Sequence, residues 1–215
     1  TAEQSVSAIF SARQDVVKSQ LREQLTGSTL TDFKDLSEEE QDYFTYIIRR
    51  LRKNNILADS NIDTSDEVYQ QWQQGECSPK DYLNHAIAQN WIDITQFTVD
   101  EKYSDSTEIY DALCNYILEE LFYEKDFSKI IYEYLITGGQ ISGTQLCLIL
   151  FDQGVLPYNE EEIAALNNGS VTAVSFLKEK IQNLEITPAQ LALDPCSGSC
   201  VVTNTKTGEV LALVT

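Results

Sequence analysis

Apolar residues recur at helical spacing along most of this chain. From Glu3 to Leu25 they form one stripe, Ile9, Val16, Val17, Leu21 and Leu25, which Thr26-Gly27 closes as a C-cap. A polar linker leads to Ser37-Glu38-Glu39-Glu40, a capping box in which the serine and the third glutamate satisfy each other's exposed amides. The helix that follows carries Tyr43, Phe44, Ile47, Ile48 and Leu51 inward and ends at Asn54-Asn55. The spacing predicts a further helix from Asp66 to Gln74, stopped by Gly75. Another opens at Ser78-Pro79, with proline at its first position, and ends near Asn90-Trp91-Ile92. A longer helix starts near Ser104 to Thr107 and buries Ile109, Tyr110, Leu113, Ile117 and Leu121; the next runs from Phe127 to Thr137 and breaks at Gly138-Gly139. Ser142-Gly143-Thr144-Gln145 is a second capping box, whose helix ends at Gly154 before Pro157. Asn159-Glu160-Glu161-Glu162 starts a short helix that Gly169 stops, Ser170 starts one reaching Leu184, and Thr187-Pro188-Ala189-Gln190 caps a last turn. Roughly eight to ten short helices, capped at both ends and without a sustained heptad, suit an orthogonal bundle better than a coiled coil.

The pattern changes at the end of the chain. Cys200-Val201-Val202-Thr203 and Val210-Leu211-Ala212-Leu213-Val214 are β-branched or apolar runs around a polar turn, Asn204 to Thr207, with Gly208 placed for a left-handed conformation. This predicts a β-hairpin. Its second run is apolar throughout, as in strands covered on both faces. An isolated two-stranded hairpin is marginal in water, so the sequence reads as cut from a longer protein just after a sheet has begun. The expected fold class is therefore mainly α: an orthogonal multi-helix bundle, residues 1–186, followed by a lead-in and C-terminal β-hairpin, residues 187–215, cut from a larger sheet. The unpaired edge of such a hairpin is expected to drive self-association.

One echo recurs, a helix end, then Gly or Asn, then two apolar residues: Asn54-Asn55-Ile56-Leu57, Gln89-Asn90-Trp91-Ile92 and Gln153-Gly154-Val155-Leu156. It reads as the ordinary helix C-cap with its hydrophobic contact, or as the trace of repeated helix-pair units.

With 215 residues, 42% hydrophobic and 23% charged, the chain is long enough to bury a core in one or two domains. A net charge of -19 argues against a nucleic-acid partner, which requires a concentrated basic face. The one basic cluster, Arg49-Arg50-Arg52-Lys53, sits at a predicted helix end, where cations complement the dipole. No run of about eighteen apolar residues occurs, so neither a membrane span nor a signal peptide is expected. Five cysteines, Cys77, Cys114, Cys147, Cys196 and Cys200, have no metal-ligand spacing. Cys114 and Cys147 fall inside amphipathic helices and read as buried thiols; Cys196 and Cys200 flank a Ser-Gly-Ser loop, and their pairing stays open.

The turn ending in Lys206-Thr207-Gly208-Glu209, followed by Val210-Leu211-Ala212-Leu213-Val214, resembles the first two strands of the transpeptidase domain of class B penicillin-binding proteins. The approach, Ile186-Thr187-Pro188-Ala189-Gln190-Leu191-Ala192-Leu193-Asp194-Pro195, resembles the lead-in found in members from Gram-positive anaerobes. Those members carry a long helical insertion upstream, and Gln89-Asn90-Trp91-Ile92-Asp93 is similar to part of it. The family often has Asp-Pro at the turn where this chain has Asn204-Thr205. The resemblance implies an extracytoplasmic parent, anchored by an N-terminal membrane helix outside this chain, that cross-links peptidoglycan by acylating a serine with one stem peptide and passing the acyl group to an amine of another. It implies that residues 1–215 contain no catalytic residue, cofactor or metal. Its partners would be the rest of the parent transpeptidase domain and other cell-wall synthesis proteins, with the helical part a spacer or docking module. The alternative is a free-standing acidic helical interaction module, which binds a cationic partner and adds its hairpin to a partner's sheet edge.

Three matches to serine penicillin-recognising motifs fail on context. Ser175-Phe176-Leu177-Lys178 has the Ser-x-x-Lys spacing, yet lies only about thirty residues before Lys206-Thr207-Gly208, where the family separates the two by well over a hundred. Ser104-Asp105-Ser106 ends in serine instead of asparagine and reads as a helix N-cap. Lys206-Thr207-Gly208 falls at the turn itself. His85, the one histidine, has no second histidine or cysteine pair with which to bind zinc and reads as packed or half-exposed. Asp59-Ser60-Asn61-Ile62-Asp63-Thr64-Ser65-Asp66-Glu67 has oxygen ligands at alternate positions but lacks the central glycine and terminal glutamate of a calcium loop.

Overall fold

A computed structural model describes residues 1–97 and 105–187, together with the backbone of residues 200–203 and 210–214. Among the described residues are nine α-helices: α1 Ala2–Thr26, α2 Glu38–Lys53, α3 Glu67–Gln73, α4 Pro79–Ala88, α5 Ser106–Glu119, α6 Lys125–Thr137, α7 Gly143–Asp152, α8 Glu160–Asn167 and α9 Ala173–Gln182. The local chemistry that starts most of them is the chemistry read from the sequence, but α9 is capped by Thr172, two residues after the Ser170 expected to start it. Ser37 and Ser142 each close a reciprocal capping box, with Glu40 and with Gln145. Asp66, Ser78, Asp105, Asn159 and Thr172 accept first-turn amides at the heads of α3, α4, α5, α8 and α9.

The helix ends share one device. Asn55, Gly75, Asn90, Gly139, Gly154, Gly169 and Leu184 all have φ between 56° and 76°. At Asn55, Gly75, Asn90, Gly139 and Leu184 the next amide bonds back to a carbonyl in the last turn; Ile56 N–H to Leu51 and Glu185 N–H to Lys180 are 2.9 Å examples. A buried apolar residue then follows, as at Ile56, Trp91, Leu156 and Ile186. The three echoes in the sequence are thus left-handed C-caps with their hydrophobic contacts. Two of them meet: Leu57 and Ile92 form an isolated antiparallel bridge, with Ala58 N–H donating to Trp91 and Asp93 N–H to Ile56, each at 2.8 Å.

Leu184 is the exception in this series, a γ-branched residue held at φ 59° with 85% of its surface exposed. Its side chain contributes little burial while its backbone carries the left-handed penalty. Leu184→Gly is therefore expected to raise stability by about 0.5 kcal/mol, the relief of strain exceeding the entropy that glycine restores to the unfolded chain. Gly169→Ala, at φ 76° with open space beside it, is expected to lower stability by about 1 kcal/mol through the backbone alone. Urea denaturation checks both.

The chain divides into two compact units, Gln4–Ile141 and Thr1–Glu3 with Ser142–Thr215. In the larger unit the core is built by Val17, Leu21 and Leu25 of α1, Tyr43, Phe44, Ile47 and Leu51 of α2, Tyr82 and Leu83 of α4, Leu113 and Ile117 of α5, and Phe127, Ile131 and Leu135 of α6. In the smaller unit Cys147, Leu156, Leu166, Phe176 and Ile186 form the core, and α7 crosses α9 so closely that a β-carbon on Gly143 would sit 2.8 Å from that of Ala173.

The expected fold class is corrected in one respect. Among residues 1–97 and 105–187 the fold is 69% helical and contains no strand, so the C-terminal β-hairpin expected to follow the bundle is not seen as an element of it. Among the described residues the core is supplied by the helices and the turns that join them, with Ile186 its last member. Beyond it only two short backbone stretches, Cys200–Thr203 and Val210–Val214, run side by side, with an irregular register between Val202 and Thr203. The turn at Asn204 to Thr207, Gly208, the cap at Pro188 to Gln190, and Cys196 lie outside the described residues, as does the side chain of Cys200.

Candidate functional site

The larger unit presents one cleft whose lining follows from helix periodicity. Thr45, Ile48, Arg49 and Arg52 stand at i, i+3, i+4 and i+7 on α2, a single row along its surface. Phe33, from a 3-10 turn at Phe33–Asp35, and Trp72 and Gln73, from the end of α3, complete a cavity of ≈ 340 Å³. The turn is fixed by backbone bonds, Phe33 N–H to Cys77 at 3.1 Å and Lys34 N–H to Gly75 at 3.0 Å, which set the Phe33 ring 5.0 Å from Trp72.

Behind this wall lies an aromatic ladder. Trp72 stacks on the fully buried Tyr82 at 4.5 Å and 12°, and Trp91 stands 6.4 Å from Tyr82 and 5.3 Å edge-on to His85. His85 Nε2 is 3.0 Å from each carboxylate oxygen of Asp66, and that carboxylate also accepts the Tyr69 amide at 3.0 Å as the N-cap of α3. Burial works to raise the Asp66 carboxyl, but the Tyr69 amide and His85 outweigh it and hold it below the usual carboxylate range. The half-buried histidine thus braces α4 against the start of α3, the helix that carries Trp72. The sequence pointed to a packed or half-exposed His85 and missed its partner, which lies 19 residues away.

The basic cluster at the end of α2 does more than face a dipole. Arg50 pairs with Glu124 at 2.6 Å, and Tyr46 donates to the same carboxylate. Arg52 places Nε 3.3 Å from Asp59 Oδ1, and its charge acts beside the buried Tyr82 hydroxyl. Arg49 lies 5.5 Å over the Tyr46 ring and pairs with no carboxylate among the described residues. In a chain of net charge -19, Arg49 and Arg52 place two positive charges on one cleft wall, with Asp59 beside Arg52. The sequence reading placed Ile48 inward and assigned Arg49 and Arg52 to the helix dipole; it missed both their alignment with Thr45 and the pairing of that row with Trp72 and Phe33.

The residues weighed for acyl transfer have other work. Ser175 is the third residue of α9, where its amide donates to the Thr172 hydroxyl at 3.2 Å and its Oγ accepts from the same hydroxyl at 2.9 Å; both it and Lys178 are exposed. Asp105 caps α5 through the Thr107 amide at 3.0 Å, while Ser104 and Lys206 to Gly208 lie outside the described residues. Cys77, Cys114 and Cys147 are buried free thiols, each pushed up to about 11 chiefly by burial, far above a nucleophile's range. Of the carboxylates weighed for calcium, Asp63 is turned onto the amide and hydroxyl of Ser65 at 2.9 and 2.6 Å, and Asp66 onto α3 and His85. Among the described residues no group of three or more His, Cys, Asp or Glu is placed to hold a metal ion, and no helix is long and apolar enough to cross a membrane. Comparison with known proteins finds no matching family model, no matching curated protein and no matching solved structure.

Proposed function

We propose that this chain is a non-catalytic helical module of an extracytoplasmic transpeptidase of the penicillin-binding type, serving its parent as a spacer or docking domain. The observation that carries the reading is the sequence from Ile186 to Val214, which resembles the entry to such a transpeptidase domain and directly follows two capped helical units. The engagement of Ser175 in the α9 cap agrees with a module that leaves the chemistry to other parts of its parent. In that role the helices hold the catalytic domain away from its anchor and offer a surface to other proteins of cell-wall synthesis.

A fluorescent β-lactam tests this directly. The chain from Thr1 to Thr215 is expected to take up no label, whereas a polypeptide extended through the downstream reading frame is expected to be acylated at a Ser-x-x-Lys serine within about a hundred residues of Thr215. Stable label on Ser175, or a reading frame that stops at Thr215, would overturn the proposal.

A further inference from the structure

We propose that the cleft of the larger unit captures the C-terminus of a peptide, taking the terminal carboxylate on Arg49 and Arg52 and an apolar terminal side chain against Trp72, Phe33 and Ile48. The inference is independent of the transpeptidase reading.

It begins from charge. The molecule as a whole repels anions, and a polyacidic ligand would meet that repulsion over its full length. At physiological ionic strength the repulsion fades beyond about 8 Å, so a ligand with one anionic group answers mainly to the groups it touches. Here those are two guanidinium groups one helical turn apart on α2, one of them without a carboxylate partner among the described residues. Guanidinium recognises carboxylate through paired N–H donors, a geometry in which two such groups select a single planar anion.

The second element is shape. The cavity of ≈ 340 Å³ stands at the small end of the range for ligand sites, with room for one large side chain and its immediate neighbours. A C-terminal residue carries its carboxylate and its side chain on the same α-carbon, which is the juxtaposition that a cleft with arginines on one wall and aromatic rings on the other can satisfy. An internal glutamate would set its charge several bonds from the next apolar side chain and demand more length.

The third is the supply of neutral polar groups. The Thr45 hydroxyl and the Gln73 carboxamide line the cleft, both residues are exposed, and neither side chain is engaged in a hydrogen bond among the described residues. A carboxamide donates and accepts at once, as a peptide group requires. The wall itself is rigid, because Trp72 is stacked on Tyr82 and α3 is braced through Asp66 and His85. Little ordering remains to oppose binding.

The test uses the whole chain and N-acetyl-Gly-Ala-Phe with a free carboxylate, titrated while the two tryptophan indole N–H signals are followed by NMR. The Trp72 signal is expected to shift in a saturable manner with a dissociation constant below about 1 mM, and that of buried Trp91 to stay in place. The same peptide closed as its C-terminal amide is expected to bind at least about tenfold more weakly, the cost of about 1.4 kcal/mol for losing the ion pair. Arg49→Glu, an exposed substitution that leaves the core untouched, is expected to weaken the acid at least about fivefold and the amide hardly at all. Equal binding of acid and amide would overturn the proposal, as would equal response to phenylpropionate, which marks a site for small anions. No shift of the Trp72 signal at about 5 mM peptide would overturn it as well.

Discussion

Replacing Phe127 by alanine is expected to cost about 4 kcal/mol and to be the most damaging single truncation in the larger unit. Phe127 is fully buried near the head of α6, and its ring is surrounded by three others: Tyr43 at 5.1 Å, Tyr46 at 5.5 Å and Phe122 at 5.1 Å. Loss of the ring removes its transfer free energy and leaves a cavity lined by aromatic groups. Those groups cannot collapse into it, because two of them are tied down at their polar ends. Tyr43 donates its hydroxyl to Glu39, which also pairs with Arg13, and Tyr46 donates to Glu124, which also pairs with Arg50. A tyrosine held at its hydroxyl cannot swing inward without abandoning a charge-assisted bond. Phe127→Leu keeps most of the volume and is expected to cost only about 1.5 kcal/mol. Urea denaturation of both variants decides the matter. A loss below about 2 kcal/mol for Phe127→Ala would mean that the cavity closes and that the tyrosine anchors are not fixed.

What the sequence made legible is local. Ser37 with Glu40, Ser142 with Gln145, Pro79 at the first position of α4 and the glycines after α3, α7 and α8 act between residues a few positions apart. Their geometry is written in the order of the residues. The inward positions Tyr43, Phe44, Ile47, Ile48 and Leu51 of α2 were legible for the same reason, a strong 3.6-residue period. In α1 the period is weaker: Val16 proves 47% exposed and Val6 buried, because which flank of a long stripe is covered depends on neighbours distant in sequence. The same distance hid the anchors of the fold. Tyr110 donates its hydroxyl to Leu25 at 2.7 Å across 85 residues, and Arg50 meets Glu124 across 74. The helix caps define where elements stop, but not which element each meets. The candidate cleft shows both sides of this limit, since the period of α2 makes Ile48 readable as an inward position while Phe33 and Trp72 reach the cleft only through the bonds of Phe33 and Lys34 to Cys77 and Gly75.

Lys180 is expected to be the corresponding weak point of the smaller unit, through charge and packing together. It is one of the two buried polar or charged residues among those described, with 6% of its surface exposed, and its ammonium sits between Glu162 at 2.8 Å and Glu185 at 2.7 Å, 5.5 Å from the centre of the Phe176 ring. Burial alone would lower its pKa, but hydrogen bonds to the two carboxylates outweigh burial and raise it. A lysine whose folded pKa lies above its unfolded value contributes stability that is whole below about pH 10.4 and is lost as pH rises through the folded value. Lys180→Ala removes the ion pairs and the covered stem at once, and is expected to cost about 2.5 kcal/mol at neutral pH. Lys180→Met retains the stem. Because Glu162 and Glu185 are about a third exposed and can regain water, it is expected to cost only about 1 kcal/mol. The pH profile separates the contributions, for the difference between wild type and Lys180→Met should shrink above about pH 10.4, while that between Lys180→Met and Lys180→Ala should not change. A wild-type advantage that persists undiminished through that range would show that Lys180 stabilises the unit by packing alone.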